Sequence, residues 1–552
     1  MGPVPVAPGA RDDVSGDPTR ISHPLWRSRK RSDHRLGLIA VTILIASGAT
    51  PIPTAAETAR AFSGMAAHQT WSSSRGSASE DDPIVGPDPS LAGPLDAVIG
   101  VSPATTCLTV AIDGRVAFQH GSSVPVNPAS NEKLLTAGAA LDLLGPGYRF
   151  PTRAAATGAV VHGRLDGDLD LIGGGDPLLA SSLFRALRHL PPDPVATMLD
   201  GLADRVRAAG IVHVGGRVLA DETRYDTERM VATWPSRFGP DDVSGPLSAL
   251  GVDGGYTVGP AGGGFRRVRS DAPALATAQL FTAILGSKGV TVDGPAAVGS
   301  APPGARTLAF VASAPLDVIV AEMLQNSDNR TAELITKELG RTKGTGGTTA
   351  GGVAVIDGWK VLHQLAPPGS TTVDGSGLSD GNRATCDQLV TLLDTTGGRH
   401  GSIGKGLAVA GVSGTLAARF VGSPAQGRLR AKTGTLNGVS ALSGFVDLPD
   451  GGTATFAYVA NGGPDAEAMA AEDILGRVLS TYRKPCPRVA PSEVVAPVTA
   501  YLGELADLAA GPLAAASQTG TMMATEVFAR RFRSVSDRCL AADPAASVHL
   551  SG

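Results

Sequence analysis

Lysine is scarce in this chain of 552 residues: nine lysines stand against 38 arginines. A lysine inside a short motif therefore carries more weight than usual. Cysteine is scarcer still. Cys107, Cys386, Cys486 and Cys539 are scattered with no C-x-x-C pair, which argues against a zinc ribbon or a redox dithiol. The ten histidines form no H-x-x-x-H or H-E-x-x-H group, which argues against a zincin. An excess of positive charge is also missing. The 47 basic and 51 acidic side chains give a net charge of −4, so no basic face is expected for a nucleic-acid backbone. What is present is apolar content of 42%, enough for a large core in two or three domains. Glycine (71) and proline (40) are plentiful but follow no fixed period, which implies many turns rather than collagen.

No apolar run reaches the roughly 20 residues that a membrane-spanning helix needs. The run Leu36 to Ala49 has 14 residues and follows Arg27, Arg29, Lys30, Arg31 and Arg35. That pattern suits a signal peptide, with an uncleaved anchor as the alternative. Residues 1–56 are assigned to this leader, which carries seven basic and four acidic side chains. The rest of the chain is then expected outside the cytoplasmic membrane, in a cell-wall or periplasm-like space. Membrane contact is expected only through residues 36–49. Export permits disulfides. Sequence cannot choose among the three pairings of four cysteines, although Cys107 with Cys486 is favoured because they bracket the candidate domain.

Residues 57–94 are polar and aperiodic and read as a linker. Cys107–Asp113 and Arg115–His120 read as a hairpin about Asp113-Gly114. Leu134, Ala137, Leu141 and Leu144 recur at helical spacing, ending at Gly145. Residues 150–305 read as short strands and Gly/Asp-rich turns with one helix (Pro194–Ala209), and suggest an inserted β-rich module. Helices are expected at Ala314–Leu324 and Arg330–Leu339, with Val353 to Leu365 mixed. Strands are expected at Leu429–Thr435, Val439–Leu448 and Thr453–Val459. Residues 486–552 form a Pro/Ala-rich extension.

Three motifs occur in chain order: Ser130-Asn131-Glu132-Lys133, Ser327-Asp328-Asn329, and Lys432-Thr433-Gly434 followed by Thr435. Ser130 opens a helix and Lys133 lies one turn on, so their side chains share a face. A serine hydroxyl needs a base, and a lysine serves only when neutral. Burial and a second cation, here Lys432, both lower its pKa. Lys432–Thr435 lies on a strand whose edge can hold an extended peptide, with Lys432 and Thr433 near a terminal carboxylate. The N–H groups of Thr435 and Ser130 would form an oxyanion hole. Ser327-Asp328-Asn329 taken alone is also ordinary N-cap chemistry. A second S-x-x-K, Ser402 to Lys405, sits in a glycine-rich stretch that holds a helix poorly, at about 1 kcal/mol per glycine, and is read as coincidence.

The three motifs together are the signature of penicillin-binding proteins and class A β-lactamases. With nearly 200 residues between Ser130 and Ser327, the chain resembles the D-Ala-D-Ala carboxypeptidase/endopeptidases of the class C low-molecular-mass penicillin-binding proteins. Further matches are Asp168-Leu169-Asp170-Leu171-Ile172-Gly173-Gly174-Gly175-Asp176-Pro177 and Gly245–Leu250. Asp374-Gly375-Ser376-Gly377-Leu378-Ser379 with Asn382-Arg383, and Gly411–Leu416, match as well. The likeness covers about 95–482.

The resemblance implies an α/β (α+β) transpeptidase-like domain, with a mixed sheet flanked by helices, over 95–149 and 306–485. The insert interrupts it. It implies Ser130 as the acylated nucleophile and Lys133 as base, with Ser327, Asn329 and Lys432 in proton transfer and substrate holding. Thr433, Gly434 and Thr435 would bind substrate, and Ser379 and Arg383 would line its side-chain end. Arg383 is equally readable as a loop anchor, and Asp176 as a turn residue rather than an acid. The expected reaction removes the terminal D-Ala of peptidoglycan stem peptides through an acyl-enzyme. Cross-link cleavage is a second activity, β-lactams are covalent inhibitors, and no metal or cofactor is needed. The alternatives are a β-lactamase, a non-catalytic penicillin-binding sensor or scaffold, and a cross-linking transpeptidase, for which no positive sign exists.

Overall fold

The computed structural model describes residues 89–484, apart from 104, 191–192, 239–241 and 262–263. The leader, the linker up to 88, the extension 486–552, Cys486 and Cys539 lie outside the described residues. Among the described residues no helix is long and apolar enough to cross a membrane.

The chain enters with helix α1 (Pro89–Gly100), then strands β1 (Thr105–Ile112) and β2 (Arg115–His120) and helix α2 (Glu132–Leu143). The linker expected to run to 94 therefore ends earlier. Its last residues belong to α1, because Leu91, Leu95 and Val98 repeat at helical spacing and are fully buried.

A second β-rich body follows: β3 (Pro151–Ala156), β4 (Leu169–Ile172), helix α3 (Leu199–Ala208), β5 (Val218–Asp221), helix α4 (Pro273–Ser287), β6 (Ala297–Val298) and β7 (Arg306–Ala312). Its sheet has the order β6-β5-β4-β3-β7, parallel across β6-β5-β4 and antiparallel across β4-β3-β7. Leu169, Leu171, Leu202, Val206, Phe281 and Leu285 build its own core. Strand β7 pairs with β3, so this sheet closes at Ala312, past the expected boundary at 305. The helix expected from Pro194 starts only at Leu199.

The chain then returns through helices α5 (Leu316–Asn326), α6 (Asn329–Lys343), α7 (Thr349–Leu362), α8 (Cys386–Thr395) and the single-turn α9 (Ser402–Gly406). Strands β8 (Ala408–Val409), β9 (Leu429–Leu436), β10 (Val439–Asp447) and β11 (Thr453–Asn461) and helix α10 (Asp465–Thr481) complete it. The main sheet runs β8-β9-β10-β11-β1-β2, and every neighbouring pair is antiparallel.

Side chains alternate across this sheet with the period of two that a strand imposes. Cys107, Ala111, Ala441, Phe445, Ala457 and Val459 face a core shared with α2, α5, α6, α7 and α8. Leu108, Val110, Leu442, Val446, Phe456 and Tyr458 face a core shared with α1 and α10. Both faces are covered, so β10 and β11 read as nearly continuous apolar runs. Helix α7 forms where a mixed segment was expected. Its glycines blur the periodicity because they serve packing: a Cβ on Gly352 would lie 1.9 Å from the Thr336 carbonyl oxygen of α6.

One pairing differs from expectation. Cys107 is bonded to Cys386, not to Cys486. Cys107 occupies a helix-facing position of β1, directly beneath the first residue of α8, with the two Cα atoms 5.9 Å apart.

Candidate active site

Ser130 sits in a 3-10 turn, Ala129–Asn131, that leads into α2. Three amide side chains hold this turn. Asn127 Oδ1 accepts from the Ala129 N–H at 2.9 Å, and Asn131 Nδ2 donates to Ser443 Oγ of β10 at 2.9 Å. Asn461, at the end of β11, accepts from the Asn127 N–H and donates to the Asn127 carbonyl. Ala129 takes a positive φ of 46°, an expensive conformation for a residue with a Cβ. The strain falls on the residue before the serine.

Lys133 is fully buried one turn further on. Its Nζ lies 2.9 Å from Ser130 Oγ, 2.6 Å from Asn329 Oδ1 and 2.7 Å from the Ser376 carbonyl oxygen. Burial pushes this amine down to about 8, against the pull of Asp374, Asp328, Glu333 and Glu132. Two of those carboxyls are poor counter-charges. Burial drives Glu132 and Glu333 up to about 8. A neutral Lys133 amine keeps two N–H donors for Asn329 and Ser376, and its lone pair then faces the Ser130 hydroxyl.

Helix α5 ends at Ser327, which adopts the left-handed conformation (φ 60°), and α6 starts two residues later. Asp328 is the cap between them, accepting from the Thr331 N–H. The N-cap reading of this triplet thus fits its middle residue, while the outer two face the site. Asn329 bridges Lys133 and the inserted body, donating from Nδ2 to the Val243 carbonyl at 2.8 Å. Ser327 Oγ accepts from Lys432 Nζ at 2.7 Å. Lys432 is fully buried and held well below the ordinary lysine range by burial and by the neighbouring Lys133.

Strand β9 carries Lys432 to Thr435. Short β8 covers only Arg430 and Ala431, leaving 432–436 with no strand on that side among the described residues. Gly434 lets β9 close tightly on the serine turn: a Cβ there would lie 3.0 Å from the Pro128 carbonyl and 3.1 Å from Ala129 Cβ, and the turn would have to give way slightly. The Thr433 hydroxyl donates to Thr415 Oγ1 at 2.9 Å, and Thr435 is exposed.

Residues of all three motifs therefore meet around Ser130. Ser379 and Arg383 stand apart in the loop after Asp374. The Ser379 hydroxyl pairs with Thr233 of the inserted body, and its N–H donates to Asp374. The Arg383 guanidinium donates to the carbonyls of Asp380 and Asn382, so it anchors its own loop. Asp176 accepts from the Leu178 N–H two residues on, which is turn chemistry.

Several participants were not legible as such. Asp374 accepts four hydrogen bonds, from the Gly377 and Ser379 N–H groups, Asn382 Nδ2 and Trp234 Nε1 of the inserted body. The contribution of Val243 is a backbone carbonyl, which no side-chain pattern announces. Arg330, buried beside Asn329, donates to the carbonyls of Pro177, Pro246 and Gly251. The Gly-Asp-Pro and Gly-Pro-Leu-Ser segments thus form a cup that anchors α6.

The family model of the D-Ala-D-Ala carboxypeptidase 3 (S13) family matches residues 96–261 and 264–482. A D-alanyl-D-alanine carboxypeptidase of Actinomadura sp. (strain R39) is 32% identical, over 73% of this chain and 84% of its own. The carboxypeptidase DacB of Mycolicibacterium smegmatis is 34% identical, over 67% of this chain and 79% of its own. Among solved structures, penicillin binding protein 4 of Haemophilus influenzae shares the fold, with a TM-score of 0.59 at 19% identity, covering 70% of this chain and 99% of that one.

Proposed function

The chain belongs to the D-Ala-D-Ala carboxypeptidase 3 (S13) family and is a serine-type D-Ala-D-Ala carboxypeptidase, and from that premise we propose how its own residues do the work. Ser130 is the nucleophile and neutral Lys133 its base. The Ser130 proton passes to Lys133 Nζ as Oγ attacks the carbonyl carbon of the penultimate D-Ala of a stem peptide. The N–H groups of Ser130 and Thr435 receive the developing oxyanion. A proton returns through Lys133 or Ser327 to the leaving nitrogen, the C–N bond breaks, and D-Ala departs. Water then cleaves the ester on Ser130. Lys432 and Thr433 bind the terminal carboxylate, and the uncovered edge of β9 holds the peptide. Ser379 and Arg383 are proposed to shape its side-chain end only through the loop they hold, since Ser379 is buried against Thr233 and Asp374 and Arg383 binds the Asp380 and Asn382 carbonyls.

One observation carries this reading: the Lys133 amine touches Ser130 Oγ at 2.9 Å while its two other hydrogen-bonding positions are filled by Asn329 and Ser376. The test is D-Ala release from a pentapeptide ending in D-Ala-D-Ala. Release by the wild type and none by Ser130→Ala is expected. Release by the variant at the wild-type rate would overturn the assignment.

The same serine is proposed to be acylated by β-lactams and to cut peptide cross-links. Slow release of the lactam is favoured over a β-lactamase activity. The carboxyls that act on Lys133 are engaged in holding the fold: Asp374 takes four donors, Asp328 caps α6 on the Thr331 N–H, and Glu333 takes two backbone N–H groups on one of its oxygens. A chromogenic cephalosporin should give one burst and then stop; sustained hydrolysis would favour the lactamase. Action outside the cytoplasmic membrane is part of the proposal. The fully buried Cys107–Cys386 bond supports it, since such bonds are rare in reducing compartments. So does the basic-then-apolar stretch from Arg27 to Ala49.

A further inference from the structure

Lys133 is aimed by two acceptors. Asn329 belongs to a catalytic motif, but the other acceptor is the carbonyl of Ser376, on a loop. The Ser376 carbonyl belongs to the Ser376–Gly377 peptide, whose N–H donates to Asp374 at 2.7 Å, and its direction is also set by the Gly375–Ser376 peptide just before it, so what fixes that preceding unit matters. Glu333 stands on α6 four residues after Asn329, on the same helix face, and is fully buried. Its Oε1 accepts from both the Gly375 N–H, at 3.1 Å, and the Ser376 N–H, at 2.8 Å. Thr136 of α2 holds the Gly375 carbonyl at 2.8 Å, so the peptide is pinned between the two helices that carry Lys133 and Asn329.

We propose that Glu333 is a positioning residue for the Lys133 amine, acting through the Gly375–Ser376 peptide. With both N–H groups gathered on one carboxyl oxygen, the Ser376 carbonyl points at Nζ, 2.7 Å away. Two fixed acceptors leave the lone pair one direction, toward Ser130. Loss of the Glu333 acceptor leaves the Gly375 and Ser376 N–H groups unpaired and lets this stretch shift between its remaining anchors, Thr136 and Asp374, so that the Ser376 carbonyl moves off Nζ. A lysine that still touches Ser130 but is not held there is a poor base, because small misplacements of a catalytic group cost rate steeply. Burial pushes the Glu333 carboxyl up to about 8, and in either protonation state Oε1 offers the two N–H groups an acceptor. The role is geometric, and any group that offers an acceptor at that point should serve.

The inference rests on the reading of Ser130 and Lys133 above. Its test is the acylation of full-length protein by fluorescent penicillin, with limiting rate and half-saturating concentration measured separately. Glu333→Leu should lower the limiting rate at least tenfold and change the half-saturating concentration less than threefold, since β9 is untouched. Glu333→Gln keeps the carbonyl acceptor and should recover most of the lost rate. A folded Glu333→Leu protein that acylates at the wild-type rate would overturn the proposal. So would a Glu333→Gln protein as slow as Glu333→Leu, because charge rather than the acceptor would then matter. If Glu333→Leu does not fold, Glu333→Asp carries the test: the oxygen is withdrawn by one methylene, a slowing of at least threefold is expected, and an unchanged rate overturns the idea. Absence of labelling in the wild type would count against the serine assignment itself, so the two failures are distinguishable.

Discussion

Ser130 and Lys133 stand at the same spacing as Ser402 and Lys405, and both pairs open on a helical turn. Beyond that they differ. Lys133 is fully buried and meets three oxygen atoms; Lys405 is exposed to water. Helix α2 runs for 12 residues through the core, whereas α9 is a five-residue turn with glycine at its cap and at two of its positions. The pattern of letters costs nothing to repeat. A reactive pair needs the desolvation that lowers the lysine, acceptors that direct its lone pair, and a rigid frame behind the serine. Only the first copy has them.

Single substitutions at both copies separate them most sharply. Ser130→Ala should reduce D-Ala release from a pentapeptide by about 10⁴-fold or more, while Ser402→Ala should stay within twofold. Steady-state release at saturating peptide measures both, and a comparable loss at Ser402 would erase the distinction. Removing the bases is the next largest effect. Lys133→Ala should slow acylation by about 10²–10⁴-fold with the fold retained, and Lys405→Ala should be silent.

The pH profile sharpens the contrast further. The base proposed is the neutral form of Lys133, whose pKa is lowered to about 8, and so the acylation rate should rise through pH 8 and level off above it. The sign follows because raising pH removes the proton that blocks the base. Asp374, Asp328, Glu333 and Glu132 pull the midpoint up, and burial pulls it down. Stopped-flow acylation across pH 6 to 10 measures it, and a midpoint at the ordinary lysine value near 10.4 would deny the amine its special environment.

The frame is tested by stability. The Cys107–Cys386 bond ties β1 to α8, which packs with α2 behind Ser130. Replacing both cysteines by alanine should cost about 2–5 kcal/mol by denaturant titration, because the bond closes a long loop. Gly352→Ala should cost about 1–3 kcal/mol, since its Cβ would press on the α6 backbone at Thr336. No equivalent loss is expected from Lys405→Ala, whose side chain is exposed.

Much of the site was legible because its chemistry is written in side chains at fixed spacing. Serine and lysine one turn apart, with Lys432 on a strand, predict a shared cleft before any coordinates. The strands β9, β10 and β11 were legible from their apolar, β-branched runs and the turn at Asp450-Gly451-Gly452. Helix α7 was not, because Gly351, Gly352 and Gly358 interrupt the periodicity, and of these Gly352 is the one pressed against α6 at Thr336. The disulfide was not, because a bond across 279 positions depends on which strand faces which helix. The groups that finish the site, the carbonyls of Ser376 and Val243, carry no letter of their own. Glu333 reads in sequence as an ordinary helix glutamate.

The central claim is that Ser130, and not Ser402, forms the ester. Peptide mapping by mass spectrometry after benzylpenicillin treatment of the full-length protein addresses it directly. A penicilloyl adduct is expected on the peptide containing Ser130, with the Ser402 peptide unmodified. An adduct on Ser402, or on any residue other than Ser130, would contradict it.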